Sequence, residues 1–523
     1  MKAKKAPGID GVGGLFFKIA SDSLCHILAL IFSMIMRTGI FPKSWTRLIL
    51  CPIYKNKGSV TDPKNYRGIA LLPVVGKIFT SILNKRLIRW AENGKKIDDR
   101  QAGFRRGYST LDNIFILDTL MASYKKKKVT LYMAFVDYRD AFNKVSRNAL
   151  MFKLNKMGVS SQFTKVLESM YSQGSFSVKI SSEKVTESRP YTTGCYQGDN
   201  LSPTLFSLFV NDIFPCLESV DGWPPNLDGK PVTGLLYADD LVLLSTSVLG
   251  LQRQLNELER YADYWGMEVN VNKTNTFVSK KGHVLKRCEK WTYKNEKIAT
   301  VSSFKYLGVH LNHDNSWTHH LTSAEAIGKR ASRALSPFFH KFSTLPVSSF
   351  LKIFDAAVVP SVLYGAEIWG AGVERDGINR AASLFYRILL GLPQSAPVSG
   401  LHLELGRQRL TEAASLRAIS YWLRLSVVKE DRLLHSAFKT QIALAEKGAD
   451  CWASRVKLSL DRLGFSVAWS LPPAPDCHTM FISSVKRRTF DQSFSKNLEI
   501  ANKLPSLKNY VINRTAFGME KIL

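Results

Sequence analysis

The sequence has no paired cysteines. Its seven cysteines, at 25, 51, 195, 216, 288, 451 and 477, are scattered, and none forms a CxxC unit or joins histidines at zinc-ligand spacing. That excludes a structural zinc site and a disulfide scaffold, and an odd, scattered set suits a reducing compartment. The adjacent Cys477 and His478 are an incidental pair. No apolar run is long enough for a membrane. The best, Leu24–Met36, is short and holds His26 and Ser33, whereas a span needs about 20 apolar residues. The basic start breaks into Gly and Pro before any apolar run, so no secretory leader is visible. The expected location is nuclear or cytoplasmic, with no membrane partner. No internal repeat or low-complexity tract is present.

Acid is also scarce. Against 72 Lys+Arg there are 43 Asp+Glu, a net charge of +29. An excess of that size points first to a polyanion, above all nucleic acid. The rest is ordinary for a globular protein, 45% hydrophobic and 22% charged. At 523 residues the chain has room for about three domains, each able to bury a core.

Periodicity gives the outline. Leu24–Thr38, Val74–Trp90 and Leu111–Tyr124 read as helices, and Leu48–Tyr54 as a strand. The four lysines 125–128 read as a solvated turn. The run VTLYMAFV, 129–136, is apolar and β-rich, as a strand buried on both faces would be. Arg147–Met157 reads as a helix, 176–180 with 184–188 as a hairpin, and Ser202–Leu217 as one apolar helix. Two further buried strands fall at Leu235–Tyr237 and Leu241–Leu244. Leu251, Leu255, Leu258 and Ala262 mark an amphipathic helix. Phe304–Leu311 reads as a strand. Helices follow at 321–335, with Lys329, Arg330 and Arg333, and at Leu401–Val428. The last 80 residues read as polar and irregular.

The strongest chemical signal is Tyr237-Ala238-Asp239-Asp240 between two apolar runs. Adjacent acids there are costly unless the turn is solvated or the charges meet a cation. A solvated turn is the default for an isolated DD. Here Asp137 ends a second apolar strand. If the strands are neighbours the carboxylates converge, as oxygen ligands for hard divalent cations do. Two such ions about 3.5–4 Å apart can activate a hydroxyl and stabilise a leaving pyrophosphate.

The order FVDYRDAF, TGCYQGDNLSPTLFSLFVNDI, LLYADDLVLL, VNVNKT, FKYLGV resembles the palm of a reverse transcriptase. KAPGIDGVGGLFFK, the PIYKNKG to NKRL stretch and QAGFRRGYSTLDNI resemble the fingers of the non-LTR (LINE-type, jockey-like) retrotransposon branch. The resemblance is dense over residues 3–311 and thinner, through YGAEIWG and LHLELG, to about 425.

It implies an α+β right-hand polymerase: fingers at 1–130 interleaved with the palm, a palm with an antiparallel sheet at 131–315, a helical thumb at 316–430 and an undefined tail at 431–523. It implies RNA-directed DNA synthesis, with an RNA template, a DNA primer or target DNA, dNTPs, and two Mg²⁺ ions for which Mn²⁺ can substitute. No protein partner can be inferred. Asp137, Asp239 and Asp240 match the metal-binding triad, with Asp240 the supporting member. Phe142 matches the ring that excludes a ribose 2′-hydroxyl, and Asp140 and Ala141 shape the nucleotide floor. Gln197 and Gly198 match the loop against the incoming nucleotide, and Tyr237 joins that nucleotide-binding set. Lys55, with Lys57 as its competitor, and Arg67 match the residues that hold the triphosphate. Lys273 matches a general acid for the leaving pyrophosphate. Tyr306, Leu307 and Gly308 match the primer grip. The basic helix near Lys329–Arg333 would contact the duplex backbone.

Three features depart from the family. Asn143 stands where a second acid is usual, Tyr196 precedes Gln197 in place of the commoner small–Arg–Gln pattern, and no nuclease-like constellation accompanies the polymerase, so the chain reads as truncated and lacking the endonuclease. The rival readings are a catalytically inactive nucleic-acid-binding remnant, an RNA-dependent RNA polymerase, and an intron-encoded reverse transcriptase. Phe142 and YADD oppose the second, and no maturase region is visible for the third.

Overall fold

The computed structural model describes residues 6–513 apart from 182–183, 281, 283, 343 and 373–375. Its centre is a five-stranded sheet in the order Ala299–Val301, Asn275–Ser279, Leu131–Val136, Asp240–Ser245, Gly234–Tyr237. Neighbours run antiparallel except the outermost pair, Ala299–Val301 with Asn275–Ser279, which is parallel. Leu131–Val136 is buried at every position. Its alternate side chains serve two cores, which is why the run shows no polar face. Leu131, Met133 and Phe135 join the core shared with the C-terminal helices, while Tyr132, Ala134 and Val136 join the one shared with the N-terminal half.

A second sheet takes the order Tyr66–Leu71, Arg47–Tyr54, Ser175–Val178, Arg189–Pro190. It draws strands from both sides of the first palm motif, so the N-terminal region is interleaved with the centre. Of the hairpin expected at 176–188, residues 182 and 183 lie outside the described residues. Its second arm is one bridge, Lys179 with Val185, followed by a short strand at Arg189–Pro190.

Three expected elements are divided. The helix at 202–217 is two, Ser202–Phe209 and Ile213–Glu218. Between them Asp212 accepts from Lys153 Nζ at 2.7 Å and Tyr261 Oη at 2.6 Å. Asn211 ties both ends of its amide to the 96–98 backbone. Polar side chains committed to such bonds compete with the helix. The strand at 304–311 is a hairpin, Ser303–Tyr306 with Val309–Asn312. Leu307 and Gly308 both take positive φ, 44° and 94°, as a tight hairpin turn requires. The helix at 401–428 breaks at Gly406, φ 58°, into Val398–Glu404 and Leu410–Ser426.

The tail is not irregular. Leu433–Glu446, Trp452–Arg462 and His478–Lys503 are helices that pack into the main core. The Trp452 ring meets Phe115 edge-on, centroids 4.8 Å apart. The long helix His478–Lys503 buries Val485, Thr489, Ser493, Asn497 and Ala501. That stripe has helical spacing and almost no hydrophobic signal, so periodicity of apolar residues could not reveal it. Among the described residues no helix is long and apolar enough to cross a membrane.

Candidate active site

Two strand ends bring the acids together. Val136 pairs with Leu241, so the next step outward along the two strands reaches Asp137 and Asp240. Tyr237 pairs with Asp240 across the adjoining hairpin, which leaves Ala238 and Asp239 as the turn. Ala238 holds φ at 58°, in the left-handed region where a residue with a Cβ pays roughly 1–2 kcal/mol. Strain of this kind gathers at functional turns.

The Asp137 backbone is tied on both sides. Its N–H donates to Thr274 Oγ1 at 3.2 Å and its carbonyl accepts from Asn270 N at 2.7 Å. Lys273 Nζ stands 3.6 Å from Asp137 Oδ2. Asp239 lies above the usual carboxylate range: burial raises it, its own backbone bond and Arg67 offset part, and Asp137 adds to the rise. Asp240 is pushed up to about 6, by desolvation first and then by the charges of Asp239 and Asp137. Carboxylates raised by desolvation and by one another's charge make a donor set that suits a divalent cation. In their present rotamers, among the described residues, no three acid, histidine or cysteine side chains enclose a metal position.

Asp137 and Asp239 face a cavity of about 930 Å³. Lys55, Arg67, Phe142, Gln197, Gly198 and Lys273 also line it. Lys57 is not on that wall, and Lys55, whose Nζ donates to the Lys64 carbonyl at 3.0 Å, is. The Phe142 ring stacks on Phe206, centroids 4.3 Å apart, with the Phe104 ring edge-on at 6.3 Å. Gly198 has φ 115°, and a Cβ there would lie 2.6 Å from the Ala70 carbonyl. Only glycine allows this loop to dock on the strand that carries Arg67; the Gln197 carbonyl accepts from Ala70 N at 2.6 Å. Tyr196 points inward and is fully buried, its hydroxyl donating to the Met170 carbonyl at 3.1 Å. Asn143 is exposed on the rim.

Not every expected residue converges. Asp240 and Tyr237 are off the cavity wall. Tyr306 is buried, packed on Phe135 at 5.3 Å, its Oη 3.4 Å from Asn113 Nδ2. Of that triplet only the Leu307–Gly308 turn is available at the surface. Tyr364, from YGAEIWG, closes on it, donating to the Leu307 carbonyl at 2.8 Å, and a Cβ on Gly308 would lie 2.6 Å from its ring. Lys329 and Arg380 both pair with Glu325, whereas Arg330 and Arg333 are exposed. Among the wall residues not singled out from sequence are Lys64, Arg139 and Asn270. Each lies inside or beside a quoted motif, and that adjacency was the available signal.

Residues 53–311 match the family model described as reverse transcriptase (RNA-dependent DNA polymerase). The chain is 26% identical over 435 residues to the RNA-directed DNA polymerase from mobile element jockey of Drosophila melanogaster, covering 81% of this chain and 46% of that protein. It is 27% identical over 435 residues to the probable RNA-directed DNA polymerase from transposon BS of the same species, covering 81% and 47%. The chain thus spans about half the length of these relatives. A solved structure of apo telomerase from Candida tropicalis aligns with 89% of this chain and 74% of its own, at 12% identity and a TM-score of 0.40. Over residues 53–311, the chain belongs to the reverse transcriptase (RNA-dependent DNA polymerase) family.

Proposed function

We propose that the chain is an RNA-directed DNA polymerase of the non-LTR retrotransposon kind, extending a DNA primer with dNTPs on an RNA template. The observation that carries this is that one cavity is lined by Asp137 and Asp239, by Lys55 and Arg67, and by Phe142. In this reading the basic N-terminal sheet belongs to the fingers, the central sheet to the palm and the helices from Thr318 onward to the thumb and its extension.

The carboxylates suit two Mg²⁺ ions, for which Mn²⁺ can substitute; when bound, they supply the charge stabilisation for attack of the primer 3′-hydroxyl on the α-phosphate. Asp137 and Asp239 are the principal ligands, and Asp240, turned off the cavity, supports their geometry. Arg67 grips phosphate oxygens of the dNTP and Lys55 neutralises their charge. Phe142, held by Phe206, denies space to a 2′-hydroxyl. Gln197 and Gly198 floor the pairing nucleotide. Lys273 holds the proton that the leaving pyrophosphate takes. The Leu307–Gly308 turn steadies the primer end.

Primer extension on poly(rA)/oligo(dT) with dTTP and Mg²⁺, comparing the chain with Asp239→Asn, tests this. Extension by the first and none by the second supports both the reaction and the site. Binding of the primer–template without extension by either makes the chain a nucleic-acid-binding remnant. Incorporation of UTP in preference to dTTP on poly(rA) makes it an RNA polymerase.

A further inference from the structure

The QAGFRRG segment supplies no carboxylate to the cavity, yet the structure sets it against the acidic turn. Residues 100–102 lie along the free edge of Gly234–Tyr237: Leu236 N donates to the Arg100 carbonyl at 2.9 Å, and Ala102 N to the Leu236 carbonyl at 2.9 Å. Gln101 is fully buried. Its Oε1 accepts from Ala238 N at 3.2 Å and from Gly103 N at 3.0 Å, and its Nε2 is 3.4 Å from the Ala238 carbonyl. One side-chain amide therefore takes both backbone polar groups of the single non-glycine residue that makes this turn left-handed. Gly103 presses on the same residue. A Cβ there would lie 2.2 Å from Ala238 N, far inside contact distance.

The platform itself is anchored on both sides. Arg100 bonds to Asp98, Glu218 and Thr233. Arg105 forms a bidentate pair with Glu92, 2.9 Å at each oxygen, and donates to the Gln101 carbonyl at 3.0 Å. Fixed from behind and fitted to the turn in front, Gln101 makes up for the strain that Ala238 carries.

We propose that Gln101 and Gly103 are positioning residues that hold the Ala238–Asp239 turn in its left-handed form, so that Asp239 stays set beside Asp137 for the divalent cation. This rests on the polymerase reading of the same cleft. It requires the two residues to act on the cation through the turn, rather than simply to fill the core.

The test uses the full chain, with Gln101→Met, Gly103→Ala, Ala238→Gly and the two doubles carrying Ala238→Gly. Mn²⁺ binding, read by the loss of the free-ion paramagnetic signal, is measured beside the Mg²⁺ dependence of extension, the KM for primer–template and the melting temperature. Outer partners of a metal site typically change metal affinity by roughly 10–100-fold. Gln101→Met should weaken Mn²⁺ binding and raise the Mg²⁺ midpoint within that range, with the primer–template KM unmoved. Glycine at 238 adopts positive φ without a Cβ penalty, so Gln101→Met with Ala238→Gly should recover much of the loss. Gly103→Ala displaces the same turn from the backbone side and serves should Gln101→Met not fold. A melting-temperature drop with metal affinity unchanged overturns the proposal, as does failure of glycine at 238 to restore binding. If the unmodified chain binds Mn²⁺ but extends no primer, the polymerase reading fails while the ion titrations still decide the role of Gln101; if it binds no Mn²⁺, both fall.

Discussion

Lys273 Nζ and Asp137 Oδ2 are 3.6 Å apart, and the turn that carries Lys273 also holds the Asp137 backbone, through the Asn270 N–H and the Thr274 hydroxyl. The ammonium is thus delivered to the Asp137 side of the cavity by a hydrogen-bonded turn. Two roles are open to it, proton donor or charge partner, and they separate by substitution. Lys273→Gln should slow single-turnover extension about 100-fold, the lower end for loss of a general acid. Lys273→Arg keeps the charge but is a poor proton donor at neutral pH. If arginine stays as slow as glutamine, the lysine donates a proton; recovery to within a fewfold of the original rate leaves it only the charge.

Phe142 is braced on two sides by Phe206 and Phe104, so its ring cannot move aside for a larger sugar. Phe142→Ala should raise rNTP incorporation relative to dNTP by between about ten- and a hundredfold, the scale of a pocket that gains a small group's volume. Competing dTTP and UTP on the same primer–template gives the ratio directly. An unchanged ratio would mean that another residue forms the gate.

The acids were readable from sequence because each is the first polar residue after a run of buried strand, and both strands had to be buried on both faces. Lys55 and Arg67 were readable as cations within a dense string of motifs. Tyr237 and Tyr306 were not, since a motif gives the residue but not the face, and the turn and hairpin geometry send one off the cavity and bury the other. The C-terminal helix His478–Lys503 escaped for a different reason. Its contacts rest on small and polar residues such as Ser493 and Asn497, which carry no periodic apolar signal, whereas Trp452, Val456 and Leu460 of Trp452–Arg462 do stand at helical spacing. Gln101 is an uncharged amide whose value comes only from the backbone it meets in three dimensions.

Arg432 is the pin of that C-terminal packing. Its guanidinium donates to buried Asp112 at 2.9 Å and to the Gly107 carbonyl at 3.1 Å, and lies 3.7 Å above the Tyr108 ring. Breaking one partner of a buried pair costs roughly 3–5 kcal/mol. Asp112 keeps Ser109, at 2.8 Å, and Arg424, at 3.4 Å, so the lower figure applies. Arg432→Ala should lose about 3 kcal/mol in denaturant unfolding, and hydrogen exchange should rise in both Leu433–Glu446 and Thr110–Lys126. Faster exchange in the first helix alone would show that the contact does not couple them.

Lys153 gives the pH prediction. Its ammonium is buried, donates to the Phe209 carbonyl and to Asp212, each at 2.7 Å, and lies 3.8 Å from the Trp265 ring centre. Burial lowers it from 10.5 to about 8, and Asp212, itself partly open to solvent, offsets only part of that cost. Below about pH 8 both the folded and the unfolded chain hold the proton, and the burial cost is borne in full. Between about 8 and 10.5 only the unfolded chain holds it, so stability rises with pH across that window. From about pH 9 buried Cys195, raised by desolvation to about 12, and above about pH 10 buried tyrosines such as Tyr138, raised likewise, act in the opposite sense. The range to measure is therefore about pH 8 to 9, where the gain is up to about 1.4 kcal/mol at 1.36 kcal/mol per unit. Lys153→Met should flatten that rise while Asp212 keeps its bond from Tyr261 at 2.6 Å. Parallel stability curves for the two proteins across this range would show that the lysine does not lose its proton on folding.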